Sequence, residues 1–315
     1  MTASVQLRNA ILRDVTLRDG LQLTGKPLET ARKVELARLL LDAGVEAVEI
    51  GAMARPDLVP PMANTLEVIA ALSPEELQRC WVWAATPRGV LRAIEAGARN
   101  FQYCLSVSDE HNIANVGRTT ADSMAALPDV VDLVTIAGGR LELTLATAFT
   151  CPYSGAVDPQ RVLDLITDDR AAAISSVVLC DTLGHATPDQ VRRLVERVRA
   201  VAPDREIVFH GHDTWGMGVA NSLAAIQAGA TMVDGALGGL GGCPFAPGAS
   251  GNTPTEDLLF ALQPRWLTPR AFADIVRAGE RVLAVLGEPN RAKAAQGARS
   301  TAHALEWLIG DWISA

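Results

Sequence analysis

The chain has no excess of positive charge: 28 lysines and arginines stand against 36 aspartates and glutamates, a formal net charge of −8 over 315 residues. Such a chain repels polyphosphates overall, so a general nucleic-acid partner is not expected. No apolar run reaches the roughly 18 residues that a membrane-spanning helix requires, and no membrane partner is expected either. The opening stretch MTASVQLRNAILRDVTLRDG lacks the basic-then-apolar pattern of a secretory signal. Cysteine is sparse. The five thiols at 80, 104, 151, 180 and 243 form no zinc spacing, and their odd number leaves at least one without an internal partner. A reducing cytoplasm is the compartment expected.

What is present is an ordinary globular mixture, 49% hydrophobic and 20% charged. The length suits one or two domains, or a single α/β barrel. Short β-type runs alternate with helix-type runs. AILRDVTL (10–17) reads as a strand and TARKVELARLLLDAG (30–44) as a helix stopped by Gly44. Further strands are read at 45–51, 80–86, 101–108, 140–149, 175–182, 206–212 and 231–237, each followed by a helical pattern, one of them within 119–137. This alternation predicts parallel strands with crossover helices, and eight such units fit a (β/α)8 TIM barrel. Helical patterns at 268–286 and 301–313 lie beyond the eighth unit. They are expected to pack on the barrel as additional C-terminal helices of a single 1–315 catalytic domain.

A barrel of this kind carries its chemistry at the carboxyl ends of its strands. Arg18 and Asp19 follow the first strand, Glu49 lies on the second and Thr147 near the end of the fifth. Asp181 and Thr182 follow the sixth, and His210 and His212 end the seventh. Residues two apart on a strand share a face, so the two histidines project together. They read either as a bidentate metal seat or as a hydrogen-bonded structural pair. With a carboxylate from Asp19 and an amide oxygen from Asn252, a set of two nitrogens and two oxygens favours an octahedral divalent ion, Mg²⁺ or Mn²⁺, over structural zinc. Glu49 is costly in an apolar strand unless paired or functional; Arg18 is a plausible partner and a general-base role is the other reading. After the eighth strand comes GGLGGCPFAPGASGN (238–252), with six glycines, two prolines and no charge. It must be a loop. Its Cys243 reads as a small hydrophobe or as a thiol carried over the site.

LRDGLQ (17–22), HGHDTWGMGVANSLAAIQAG (210–229) and GGLGGCPFAPGASGN (238–252) resemble 3-hydroxy-3-methylglutaryl-CoA lyase, a member of a wider group of metal-dependent aldol and Claisen barrels. RPDLVPPMANTLEV (55–68) and TCPYSGAVDP (150–159) look like lyase segments too. The resemblance implies that Asp19, His210, His212 and Asn252 hold the metal and that Arg18 stabilises an enolate. It implies further that Cys243 is the loop thiol and Glu49 an active-site carboxylate, with Asp19 and His210 also in the catalytic set. Arg18, Gln22, Thr147 and Asn115 are expected to contact an acyl-CoA substrate, and the chain to form a homo-oligomer. Two departures fall on loops where substrate is chosen. Leu23-Thr24 stands where the lyases have Asn-Glu, and NVG (115–117) where they have Asn-Ile-Asn. The expected reaction is cleavage of a 3-hydroxy-3-methylglutaryl-CoA-like thioester to acetyl-CoA and a keto acid such as acetoacetate. A Claisen-condensing acyltransferase of the isopropylmalate or citramalate synthase type, a lyase for another hydroxyacyl-CoA, and a barrel without catalysis are the alternatives.

Overall fold

A computed structural model describes residues 3–242 and 251–300. Eight parallel strands close a barrel: β1 (Ile11–Asp14), β2 (Ala47–Ala52), β3 (Cys80–Ala84), β4 (Asn100–Ser106), β5 (Arg140–Ala146), β6 (Ser176–Asp181), β7 (Glu206–Gly211) and β8 (Met232–Gly235). Each pairs with its sequence neighbours, and β1 closes the ring on β8, with Arg13 opposite Asp234 and Asp14 opposite Gly235. Strands covered on both faces read as nearly continuous apolar runs. Accordingly, every residue of β2, β4 and β6 is buried. The outer helices bury one stripe each. In Pro188–Val201 that stripe is Val191, Leu194, Val195 and Val198, and a reciprocal Thr187–Gln190 capping box starts the helix.

Two boundaries differ from the sequence expectation in ways that matter. The first strand stops at Asp14, not residue 17, because Thr16–Gly20 winds into a wide π-type turn in which Gly20 N donates to Val15 O at 3.1 Å. Such turns are frequent at functional sites; this one carries Arg18 and Asp19. The helix read within 119–137 is two, Thr120–Ala125 and Leu127–Ile136, with Pro128 in the first turn of the second. The expected C-terminal helix is present as Pro269–Leu286 and packs on the helix Thr30–Ala43. A further short helix follows at Lys293–Ser300, and the segment 301–313 lies outside the described residues.

The long helix also secures the base of the glycine-rich loop. Gly238 has φ +59°, and a β-carbon there would lie 2.2 Å from Leu283 Cδ1, so only glycine fits. Its amide donates to both oxygens of fully buried Glu256, at 3.0 and 2.8 Å. Burial pushes the Glu256 carboxyl up to about 8. The folded state therefore binds the proton more tightly than the unfolded chain does. That contribution is complete below about pH 4.5 and is lost as pH rises toward 8, on the order of 3 kcal/mol by pH 7. Glu256→Gln keeps an acceptor for Gly238 and removes the titration. Melting temperature from pH 5 to 8 should fall less steeply in the variant, and parallel curves would show that Glu256 ionises freely in the folded protein.

Candidate active site

His210 is the last residue but one of β7, facing the barrel interior, and His212 follows directly after the strand, with ring centroids 5.3 Å apart. The π-type turn brings Asp19 up to them: Oδ2 lies 3.4 Å from His212 Nε2 and 3.9 Å from His210 Nε2. One ligand atom from each of the three residues falls within 4.8 Å of the other two. Asn252 joins from the far end of the glycine-rich loop, because residues 212 and 252 form a local antiparallel bridge. Its amide nitrogen donates to Asp19 Oδ2 at 2.8 Å and to Leu240 O at 3.0 Å. Gly241, at φ +120°, permits this approach, since a β-carbon there would lie 2.6 Å from the Asn252 amide nitrogen.

These residues fit a divalent cation. The set offers two imidazole nitrogens and two hard oxygens, a carboxylate and an amide carbonyl, and no thiolate. The amide oxygen of Asn252 is buried and has no hydrogen-bond partner among the described residues, a costly state for an atom without a ligand. Around the cluster the carboxylates of Asp19, Glu49 and Asp234 are paired with the guanidinium groups of Arg13 and Arg18, in a region nearly closed to water. Asp19 would be pushed up by burial. Arg18 and the two histidines overcome this and hold it well below the usual carboxylate range, so it is an anion ready to ligate.

Arg18 is only 7% exposed and is clamped on two sides. Nε donates to Glu49 Oε2 at 2.7 Å and Nη1 to Asp19 Oδ1 at 2.5 Å. The structure thus supplies the partner that Glu49 needs inside an apolar strand; burial still raises the Glu49 carboxyl against the pull of Arg18 and Arg13. Beneath lies a group that sequence reasoning missed. Asp234 on β8 bonds His210 Nδ1 at 3.0 Å and takes a bidentate contact from Arg13, with Nε and Nη2 at 2.9 and 3.0 Å. Against burial, the bond to Asp234 and the charge of Asp19 hold the His210 imidazole above its ordinary pKa. A partial signal existed: Asp234 interrupts the apolar run TMVDGAL (231–237) much as Glu49 interrupts VEAVEIG (45–51).

The cavity above these residues is lined by Gln22 and Asn115, and also by Trp83, His111, Cys104 and Cys180. None of the last four was singled out in the sequence. Thr147 sits elsewhere. It is fully buried at φ +55°, a strained conformation for a β-branched residue. Its hydroxyl donates to Ala146 O, its amide donates to Thr182 Oγ1, and it is not among the cavity-lining residues. Asp181 turns away to accept the amides of His185 and Ala186. Cys243 lies outside the described residues; the chain leaves them at Gly242, which lines the cavity.

A parallel barrel with an Asp–His–His cluster and a clamped arginine at the carboxyl ends of its strands is built as an enzyme. The family model described as HMGL-like matches residues 9–282, and the chain belongs to that family. It is 32% identical to the 3-hydroxy-3-isohexenylglutaryl-CoA/hydroxymethylglutaryl-CoA lyase of Pseudomonas aeruginosa, over 90% of this chain and 95% of that protein. It is 36% identical to the (R)-citramalyl-CoA lyase of Chloroflexus aurantiacus, over 88% and 90%. The structure of an HMG-CoA lyase from Acinetobacter baumannii, in complex with coenzyme A and 3-methylmalate, superposes with a TM-score of 0.84 at 32% identity, covering 96% of this chain and 97% of that one. The protein is a carbon–carbon lyase. Among the described residues no helix is long and apolar enough to cross a membrane.

Proposed function

We propose that the protein cleaves a 3-hydroxyacyl-CoA bearing a tertiary alcohol, 3-hydroxy-3-methylglutaryl-CoA or a close analogue, to acetyl-CoA and a keto acid, acetoacetate for that substrate. The observation that carries this reading is the Asp19–His210–His212 cluster beside Arg18, in a chain related to lyases that act on such thioesters. Asp19, His210, His212 and Asn252 would hold Mg²⁺ or Mn²⁺, which when bound supplies Lewis acidity at the substrate hydroxyl and lowers its pKa. The C3 hydroxyl passes its proton to a base, a histidine or aspartate of the site, C3–O becomes a carbonyl as the C2–C3 bond breaks, and the electron pair of that bond passes to the thioester as an acetyl-CoA enolate. Glu49 and Asp19 occupy two edges of Arg18 and fix its plane, leaving Nη2 to stabilise the enolate oxygen, a contribution of roughly 3–4 kcal/mol for a typical oxyanion donor. Cys243 then delivers a proton to C2, directly or through water.

A second substrate of the same class, citramalyl-CoA, is favoured by the (R)-citramalyl-CoA lyase relative. Incubating a panel of hydroxyacyl-CoAs with the Mg²⁺-loaded protein and following acetyl-CoA by mass spectrometry ranks the two. Release of free CoA from acetyl-CoA and a 2-oxo acid, with no cleavage of any panel member, would replace lyase with condensing acyltransferase. Metal dependence is tested separately. Exhaustive chelation should abolish turnover, Mg²⁺ or Mn²⁺ should restore it, and His212→Ala should weaken Mn²⁺ binding at least tenfold by calorimetry. Full activity with no metal present would refute the assignment of these four residues.

A further inference from the structure

Arg13 has no counterpart among the residues expected to act on substrate, yet it is the largest fully buried side chain among the described residues. It is fully buried on β1, below the mouth, and its guanidinium lies 5.3 Å from the ring centroid of Trp81. Its partners lead in three directions. Nε and Nη2 grip Asp234, which bonds His210 Nδ1 at 3.0 Å. Nη1 meets Glu142 Oε2 at 2.6 Å. The third partner is Gln102. With its amide turned so that oxygen faces donors, that oxygen accepts from Arg13 Nη1 and Nη2 at 2.7 and 2.6 Å, and its nitrogen donates to Glu49 Oε1 at 3.0 Å. Glu49 in turn holds Arg18, and Arg18 holds Asp19.

The contacts form a closed circuit. One arm runs from Arg13 through Asp234 to His210. The other runs through Gln102 and Glu49 to Arg18 and Asp19. The arms meet again where Asp19 faces the two histidines. Every member up to Arg18 is nearly closed to water, where hydrogen bonds are strong and an unpaired partner is costly.

We infer that Arg13 is a positioning residue that sets the metal-binding imidazole and the enolate-binding guanidinium from one buried root, so that metal affinity and turnover share a common support. The inference rests on the lyase reading for its second arm only. Glu142 provides the control, because it touches Arg13 but belongs to neither arm.

The test uses the full-length protein and four variants, with Mn²⁺ affinity measured by calorimetry in the absence of substrate, melting temperature, and steady-state kinetics at saturating Mn²⁺. Partners that orient a metal-bound histidine are worth about 10–100-fold in affinity. Asp234→Asn should therefore weaken Mn²⁺ about tenfold or more. Gln102→Leu should leave Mn²⁺ affinity within about twofold and lower kcat about tenfold with little change in KM, since a displaced Arg18 loses transition-state rather than ground-state contact. Arg13→Lys should show both losses, and Glu142→Gln neither, although both alter the same buried cluster. If Arg13→Lys does not fold, the contrast between Asp234→Asn and Gln102→Leu decides. Mn²⁺ affinity that falls equally in all four variants, or tracks melting temperature alone, would reduce Arg13 to a structural ion pair and overturn the inference. If the parent protein cleaves no acyl-CoA, the functional reading falls. The arm to His210 is then judged on Mn²⁺ affinity: weakened in Arg13→Lys and Asp234→Asn but not in Glu142→Gln, it stands; otherwise it fails.

Discussion

Replacing Arg18 by lysine should lower kcat by about two orders of magnitude or more while KM changes little. The charge is kept, so any loss belongs to geometry. The guanidinium engages Glu49 through Nε and Asp19 through Nη1, two contacts on different edges of one plane, in a site that is 7% exposed. An ammonium is a point donor and cannot hold both carboxylates and still present an N–H to the enolate oxygen. Since that oxygen gains its charge only as the C2–C3 bond breaks, the missing donor is felt in the transition state and hardly at all in binding. Steady-state kinetics at saturating Mg²⁺ measure the split. A near-normal kcat would remove Arg18 from the chemistry, and a rise in KM alone would make it a binding residue.

Much of this arrangement was legible because it follows from period and punctuation. The two-residue spacing of His210 and His212 places both rings on one face without any knowledge of the rest of the chain. The alternation of short β-type and helical runs yields eight units, and parallel closure follows from them. What could not be read is what depends on distant approach. Asn252 reaches Asp19 across 233 positions of sequence, and nothing local to either residue announces that contact; the sequence offers the two only as candidate oxygen donors, and the family resemblance implies that both hold the metal.

The buried circuit is a different kind of omission. Arg13, Gln102, Glu142 and Asp234 stand on four strands and mean little singly, since a charged residue in a short apolar run reads equally well as a strand end. Only the register makes them one group: it sets Arg13 opposite Asp234, and Gln102 opposite both Trp83 and Glu142. The π-type turn is missed for the opposite reason. Its sequence, TLRDG, has good strand residues at its start, and its conformation is chosen by where Arg18 and Asp19 must point. Thr147, at φ +55°, lies between β5 and the hairpin strands Thr150–Cys151 and Gly155–Ala156, and a β-branched residue gives no local sign of a positive φ.

Cys243→Ser should keep fold and metal affinity while acyl-CoA cleavage falls by roughly 10²–10⁴-fold, the usual span for a lost general acid or base. The reason lies in what cleavage leaves behind. Breaking C2–C3 places an electron pair on the acetyl-CoA fragment, and the enolate must be protonated at carbon before product can leave. A thiol, with a reference pKa of about 8.5, is matched to that task near neutral pH, whereas a serine hydroxyl is a far weaker acid. The two other cysteines on the cavity wall do not offer a substitute. Cys104 and Cys180 line the cavity, but burial pushes the Cys104 thiol up to about 11 and Cys180 well above its ordinary value. The loop that carries Cys243 is entered at Gly242, on the cavity wall, and left near Asn252, beside Asp19. Condensation runs the bond in the other direction and consumes an enolate rather than quenching one, so the same substitution also separates the two chemistries. Single-turnover rates with the best acyl-CoA of the panel, alongside Mn²⁺ binding and melting temperature, give the answer. A Cys243→Ser protein that cleaves its substrate at the parent rate would leave the loop no role as proton donor and shift the weight of the argument to condensation.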